Sequence, residues 1–480
     1  MNFFVNRAMG LGNSGVEHAE FYRAKRFDQA QLPYRFVFTE LVRELHEAMD
    51  KWNLKNDQVI NMWEYFVFGG DYFTQGVPKR YERKEDTVID STDTHRKKET
   101  VTTGGMRLVE HFIKYPDPKD EGMLLVSTSR IELFNENTGE RRVMYETLED
   151  PHRGTVLANI HLFNEQGRHM FFRNEVQLQR YFFEQLDQAY DHNNNYIVDR
   201  GEASEAALFD RELPGLKIIE VMHADHLSDR DDPKKPLWNN YYEYALTHMD
   251  RVDRMITATK LQRDDLLVDF PNGQNQIVAI PVGGVSDHVE EINVDRDMQS
   301  PIKFISISRL ASEKHIDLIV QAVAKVHDEG TPVALDIYGL GEEHNKIQKT
   351  IEESNAQDYI KLMGLTDHAD QVYPNYDAFI SASFSEGFGL TYIEALNAAL
   401  PVITFNARFG ALELVHDGIN GFLETFKRED DEFNVNQLVD GIHKLINSDY
   451  QKLRANTKKS VEDYQDHVIA QQWKELINAL

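Results

Sequence analysis

Two cations and two carboxylates in the C-terminal half have the types and spacing for chemistry on a phosphorylated ligand. Ser306-Ile-Ser308-Arg309-Leu310-Ala-Ser-Glu313-Lys314-His-Ile-Asp317 places Arg309 just past a predicted strand and Lys314 at the start of the next helix. Two fixed cations at the carboxyl edge of a sheet can neutralise a diphosphate whose negative charge grows as its bond breaks. A solvated pair of surface cations reads equally well from these residues alone. Further on, Ser381-Ala-Ser383-Phe-Ser385-Glu386-Gly387-Phe388-Gly389-Leu390-Thr391-Tyr-Ile-Glu394-Ala395 sets two carboxylates eight positions apart. Glu386 lies in a glycine-containing loop and Glu394 in the helix that follows. The glycines let backbone amides approach a ligand closely, and the helix N-terminus offers partial positive charge. The bland alternative is a helix cap followed by a solvated carboxylate.

Near the N-terminus, Gly10-x-Gly12-x-x-Gly15 follows a predicted strand and precedes a helix, the context of a dinucleotide fingerprint. On that reading Glu40 would hold a ribose. Any tight turn, or any phosphate near a helix N-terminus, asks for the same glycines, and the C-terminal pattern argues against a nicotinamide cofactor. Asp229-Arg-Asp231 has the D-x-D form of a metal-dependent transferase but reads as a solvated polar loop. The stretch from Asp191 to Glu202 imitates a calcium loop, except that the position requiring glycine holds Tyr196.

The elements that must position these residues follow an α/β rhythm. Strands at 2–5 and 34–39 flank a glycine-rich loop and an amphipathic helix, which opens a doubly wound domain. Between about 51 and 174 the pattern changes to short alternating segments at 106–113, 123–134, 141–146, 155–163 and 169–173, predicting an inserted antiparallel meander. The α/β rhythm returns with a helix at 176–190 and strands at 196–198, 217–223, 255–258 and 276–280. A second run has strands at 303–308, 334–338, 360–363, 378–381 and 402–405, and a terminal helix at about 461–479. The expected division is 1–50 and 175–285 for one Rossmann-like domain, 51–174 for the β-rich insertion and 286–460 for a second Rossmann-like domain. Residues 461–480 would form a helix packing back on the N-terminal domain. Two such halves are expected to face a ligand cleft.

Composition sets outer limits. A chain of 480 residues exceeds one domain of roughly 100–200 residues, and 41% hydrophobic with 11% aromatic residues describes an ordinary folded protein. The 52 Lys and Arg against 80 Asp and Glu leave a net charge of −28, which disfavours nucleic acid and other polyanions as partners. There are no cysteines, which excludes disulfides, thiolate nucleophiles and Cys-ligated zinc. With no apolar run near the roughly 18 residues of a membrane span and no signal-peptide pattern, a cytoplasmic protein is expected.

Taken together, Arg309, Lys314 and Glu386-x7-Glu394 resemble the signature of retaining, sugar-nucleotide-dependent glycosyltransferases of the two-Rossmann (GT-B) type. Ser14-Gly15-Val16-Glu17, His223-Ala-Asp225-His226 and Leu237-Trp238-Asn239-Asn240-Tyr241-Tyr242 narrow the resemblance to the GtfA-type enzymes. These begin O-glycosylation of serine-rich repeat adhesins in Gram-positive bacteria. The likeness spans nearly the whole chain, including the insertion, an acceptor and partner module in that family.

The resemblance implies a role for each matched residue. Ser14, Gly15, Val16, Glu17 and His18 match a loop over the UDP diphosphate. Arg309 and Lys314 match the diphosphate clamp, and Glu386, Gly387, Phe388, Gly389 and Leu390 match the loop that contacts the donor sugar and β-phosphate. Glu394 matches the carboxylate on the ribose hydroxyls, His223 a residue of the sugar pocket, and Gly364 with Leu365 the stretch beneath uracil. Arg309, Lys314 and Glu386 are the expected catalytic residues. The donor would be UDP-GlcNAc or UDP-glucose and the acceptor a Ser/Thr-rich protein. No cofactor or metal is expected. A GtfB-like partner subunit or a homo-oligomer would form through the insertion, and peripheral attachment to the inner face of the cell membrane is compatible with the family. The two other readings are a teichoic acid glycosyltransferase and a non-catalytic partner subunit. The net charge weighs against the first, and the intact Arg309, Lys314, Glu386 and Glu394 against the second.

Overall fold

In the computed structural model the chain forms two compact units. One comprises Met1–Glu20, Leu32–Val221 and Asn240–Arg254, the other Phe21–Gln31, Met222–Asn239 and Met255–Leu480. The described residues are 1–12, 15–77, 79–92, 95–117, 120–150, 154–199, 201–210, 213, 215–229, 235–288, 296–366 and 368–480.

The first unit holds five parallel strands in the order Lys217–Val221, Asn195–Val198, Asn2–Asn6, Tyr34–Phe38, Val59–Asn61. Asn2–Asn6 is central and buried along its whole length. A strand covered on both faces reads as a continuous apolar run, here Phe3-Phe4-Val5, not as an alternation. Phe4 packs on Tyr34 at 5.0 Å and Phe36 at 5.6 Å. The helix Glu175–Ala189 begins at Asn174, whose side chain accepts from the Gln177 N–H, and buries Leu178, Phe182, Phe183 and Leu186 at helical spacing.

A second sheet in this unit is an antiparallel meander of seven strands in sequence order, Lys84–Thr92, His95–Val101, Met106–Asp117, Asp120–Asn135, Arg141–Asp150, Gly154–Glu165 and Arg168–Asn174. It begins at Lys84, later than the change of pattern near residue 51 suggests. Residues 59–61 form the fifth parallel strand, too short to show a period, and the Asn61 side chain caps the helix Met62–Phe68. Trp63 on that helix lies 4.9 Å from the Tyr145 ring and donates its indole N–H to the Thr39 carbonyl at 2.9 Å. One buried side chain thereby ties the meander to the parallel sheet.

The second unit has a six-stranded parallel sheet in the order Ile360–Gly364, Val333–Tyr338, Ile302–Ile307, Ala378–Ile380, Val402–Phe405, Gly421–Glu424. Its core is filled from the helix Ile316–Asp328, with Leu318, Ile319, Ala322, Val323 and Val326, and from the helix Asp431–Ile446. The C-terminal segment is not one helix. It runs as Tyr450–Ser460, a turn at Glu462–Tyr464 and Asp466–Asn478. Trp473 is buried against Phe27 at 5.5 Å, with the Arg23 guanidinium 5.7 Å from its ring centroid. Asp466 accepts from the Tyr22 hydroxyl at 2.8 Å and pairs with Arg26. The last helix thus docks on residues 22–27 of the helix Gly15–Ala30, which belong to the same unit. Among the described residues no helix is long and apolar enough to cross a membrane.

Removing a buried tryptophan leaves a cavity that rigid neighbours fill only in part. Trp473→Ala should lower the stability of the second unit by about 3–5 kcal/mol. Urea unfolding followed by fluorescence and circular dichroism checks this.

Candidate functional site

Arg309 and Lys314 both follow the strand Ile302–Ile307. The chain leaving that strand is held by the turn 339–341. Ser308 N–H donates to the Tyr338 carbonyl at 3.1 Å, and Leu310 N–H to the Leu340 carbonyl at 2.9 Å. Both glycines of the turn are sterically required, since a Cβ on Gly339 would lie 1.8 Å from the Ser308 oxygen and one on Gly341 2.2 Å from the Leu310 oxygen. The backbone of Arg309 is therefore pinned, while its side chain is 69% exposed and pairs with Glu313 at 2.7 Å. Lys314 ends a 3-10 turn, and His315 enters the helix in the left-handed region at φ 45°. The His315 ring stacks on Phe384 with centroids 3.8 Å apart, which sets the chain beside Lys314 against the chain leading to Glu386.

Lys314 Nζ lies 2.8 Å from Glu386 Oε2, with each side chain about one-fifth exposed. Burial pushes the ammonium pKa down, but the Glu386 carboxylate outweighs it and holds the pKa above its ordinary value. The Glu386 backbone is fixed by one turn: its N–H donates to the Arg408 carbonyl at 2.9 Å, and its carbonyl accepts from Phe409 at 2.7 Å and Gly410 at 2.8 Å. Gly387 faces the His223 carbonyl, where a Cβ would come within 2.4 Å. His223 is half-buried, Phe388 is buried, and Gly389, at φ 91°, leads into the helix Leu390–Asn397.

Glu394 on that helix is exposed at its surface and accepts from the Tyr373 hydroxyl at 3.1 Å. Desolvation of the carboxyl pushes its pKa up to about 7. Tyr373 opposes the shift and Asp370 adds to it. Gly364, at φ 77°, ends its strand and accepts from the Gly339 N–H at 2.8 Å, and Leu365 beside it is exposed. The second unit therefore brings Lys314 into contact with Glu386, and Gly387 against His223. Arg309, Glu394, Gly364 and Leu365 each have their own surroundings in the same unit.

Gly15, Val16, Glu17 and His18 begin the helix Gly15–Ala30, in the first unit. Val16 is buried, His18 exposed, and Glu17 accepts from the Gly10 N–H at 3.0 Å. Ser14 lies outside the described residues. The Gly10 carbonyl accepts from the Trp52 indole at 3.2 Å, and Glu40 is paired with Arg7. The calcium-loop imitation contains the strand Asn195–Val198, and Tyr196, where glycine would be needed, is a core residue 5.2 Å from Phe3. Arg230 and Asp231 of the D-x-D stretch lie outside the described residues. Gly339, Gly341, His315, Phe384, Asp265 and Arg408 escape a sequence reading. Only Tyr338-Gly-Leu-Gly341, directly after a predicted strand, carried a usable signal.

Residues 290–463 match the family model described as glycosyl transferases group 1. The chain is 30% identical over 467 residues to the UDP-N-acetylglucosamine–peptide N-acetylglucosaminyltransferase GtfA subunit of Streptococcus gordonii, covering 87% of this chain and 86% of the relative. The chain belongs to the GtfA family of glycosyltransferases. A solved GtfA/B complex matches the GtfA-family chain described above with a TM-score of 0.74 at 26% identity, over 100% of this chain and 99% of the other. The fold is thus GT-B with an antiparallel insertion in the N-terminal α/β part. A poly(ribitol-phosphate) alpha-N-acetylglucosaminyltransferase of Staphylococcus aureus is more distant from this GtfA-family member, at 22% identity over 99% of each chain.

A glutamate with an ordinary pKa of 4.5 that titrates near 7 when folded adds stability in full below about 4.5 and loses it as pH rises through about 7. Glu394→Gln removes that dependence. The unliganded variant should match wild type at pH 4 and be the more stable of the two at pH 8 by no more than about 1 kcal/mol, since water screens an exposed carboxylate, as read from urea unfolding at both pH values.

Proposed function

We propose that the chain is a retaining transferase that moves GlcNAc from UDP-GlcNAc to Ser or Thr hydroxyls of a serine-rich adhesin. The observation that carries the reading is the Lys314–Glu386 pair on a pinned loop, in a chain related over most of its length to a peptide N-acetylglucosaminyltransferase. The donor C1–O bond to UDP breaks on the face that the acceptor oxygen attacks, and the acceptor proton passes to the departing β-phosphate oxygen. Arg309 and Lys314 stabilise the charge that grows on that oxygen, so the reading needs no metal. Glu386 holds Lys314 in place and is already ion-paired, which suits an orienting role better than that of a free nucleophile. The fixed backbone at Glu386 to Leu390, with His223 behind Gly387, would receive the donor sugar. Gly364 and Leu365 would lie under uracil, and Gly15 to His18, preceded by Ser14, would meet the diphosphate. A GtfB-like subunit is the proposed partner, since the relative is named a subunit and a GtfA/B complex shares the fold. The net charge of −28 favours a polypeptide over a wall polyanion as acceptor.

The test is turnover of a panel of UDP-sugars with a Ser/Thr-rich peptide and, separately, poly(ribitol phosphate), with and without a GtfB-type subunit. UDP-GlcNAc and the peptide should be preferred. Preference for UDP-glucose would change the sugar, preference for the polyphosphate would select the teichoic acid reading, and no turnover would leave a non-catalytic subunit. Arg309→Ala and Lys314→Ala should each lower kcat by roughly 100- to 1,000-fold, with a smaller loss of UDP affinity.

The ribose assignment of Glu394 has its own signature. Two hydroxyl donors stabilise the ionised carboxylate, so UDP binding near pH 6.5 should release a proton that Glu394→Gln does not release. Calorimetry in two buffers of different ionisation enthalpy measures it.

A further inference from the structure

The Arg408–Asp265 ion pair lies behind the turn that holds Glu386, and nothing in the reaction scheme above uses it. Asp265 is on the helix Lys260–Asp269, and its Oδ2 lies 2.9 Å from Arg408 Nη2. The His226 ring is wholly buried beside the pair. Its Nε2 is 3.3 Å from the same Asp265 oxygen, and its face stacks on Phe409 at 5.6 Å with 16° between planes. The Arg408 guanidinium also lies over the Phe409 ring at 4.6 Å. These contacts fix residues 408 and 409, and it is 408, 409 and 410 that take up both backbone polar groups of Glu386. Little slack is available between the two segments, because a Cβ on Gly410 would lie 1.9 Å from the Phe388 carbonyl. On its other side the loop meets the His223 carbonyl through Gly387.

We propose that Asp265 and Arg408 are positioning residues for sugar transfer, holding Glu386, and through it Lys314, by way of the backbone of 408–410. The inference rests on the transferase reading and adds to it a source of precision. A partly exposed ion pair contributes little to global stability. A displacement of about 1 Å at a charge-stabilising group, however, can lower a rate about 100-fold. Loss of the pair should therefore appear in kcat and hardly in unfolding.

The experiment uses the full chain, with its GtfB-type subunit where turnover requires one, and compares Asp265→Asn, Arg408→Ala, Arg408→Lys and the double variant Asp265→Asn/Arg408→Ala. Each of the first two should lower kcat by roughly 10- to 100-fold, with UDP Kd within about threefold and Tm within about 3 °C. Arg408→Lys should recover part of the loss, because it keeps the charge. The double variant should be no slower than the worse single variant, as for groups that act as one unit. Unchanged kcat in Asp265→Asn and Arg408→Ala, losses that multiply in the double variant, or a fall in kcat matched by UDP affinity and Tm would overturn the inference. Absence of turnover by the wild-type chain with every UDP-sugar would instead overturn the transferase reading, and the inference with it.

Discussion

An ammonium taken largely out of water must meet an opposite charge, and Lys314 meets one in Glu386 Oε2 at 2.8 Å. Without that contact burial would drive Lys314 toward its neutral form. Much of the second unit's sheet edge can be understood as what is needed to bring these two side chains together from positions 72 residues apart. His315 takes a left-handed backbone conformation so that the chain can turn from Lys314 into the helix, and its ring rests on Phe384, two residues before Glu386. The Glu386 backbone is in turn exhausted by the 408–410 turn, so the carboxylate has few positions available other than the one it occupies.

The second constraint is steric. Gly339, Gly341, Gly387 and Gly410 each lie where a Cβ would come within 2.4 Å of a backbone carbonyl oxygen or closer. These approaches fall at the segments that carry Arg309, His223 and Glu386. A side chain at any of them would push apart two pieces of backbone, and rigid backbone does not yield as a flexible side-chain tip does.

Much of this was legible in the sequence because it rests on local pattern. The strand Asn2–Asn6 carries a continuous apolar run at Phe3-Phe4-Val5, and the meander from Met106 to Asn174 alternates openly. Lys84–Thr92 and His95–Val101 were not legible, since charges crowd those strands and conceal the period of two. Val59–Asn61 is too short to have a period, and the break at 461–465 before Asp466 lies within a stretch with no glycine or proline to mark it. At the site, residues in contiguous motifs were visible: Arg309, Lys314, Glu386, Glu394. Asp265, Arg408 and His226 come from three distant segments, and only tertiary packing brings them together.

Two scales of electrostatics then coexist. The net charge of −28 acts on approach, over distances that salt limits to about 8 Å, and so bears on which polymer arrives. Inside the site the balance is local and decided by which partner each charge meets. Arg309 remains exposed with its charge paired to Glu313, Lys314 is paired to Glu386, and Glu394, its pKa raised, accepts from Tyr373. On the ribose reading the two hydroxyls of the nucleotide would add donors to the one that Tyr373 supplies. The desolvation that raises the Glu394 pKa in the empty protein would then make the carboxylate respond to its ligand, because each hydroxyl bond favours the charged form that the empty site disfavours.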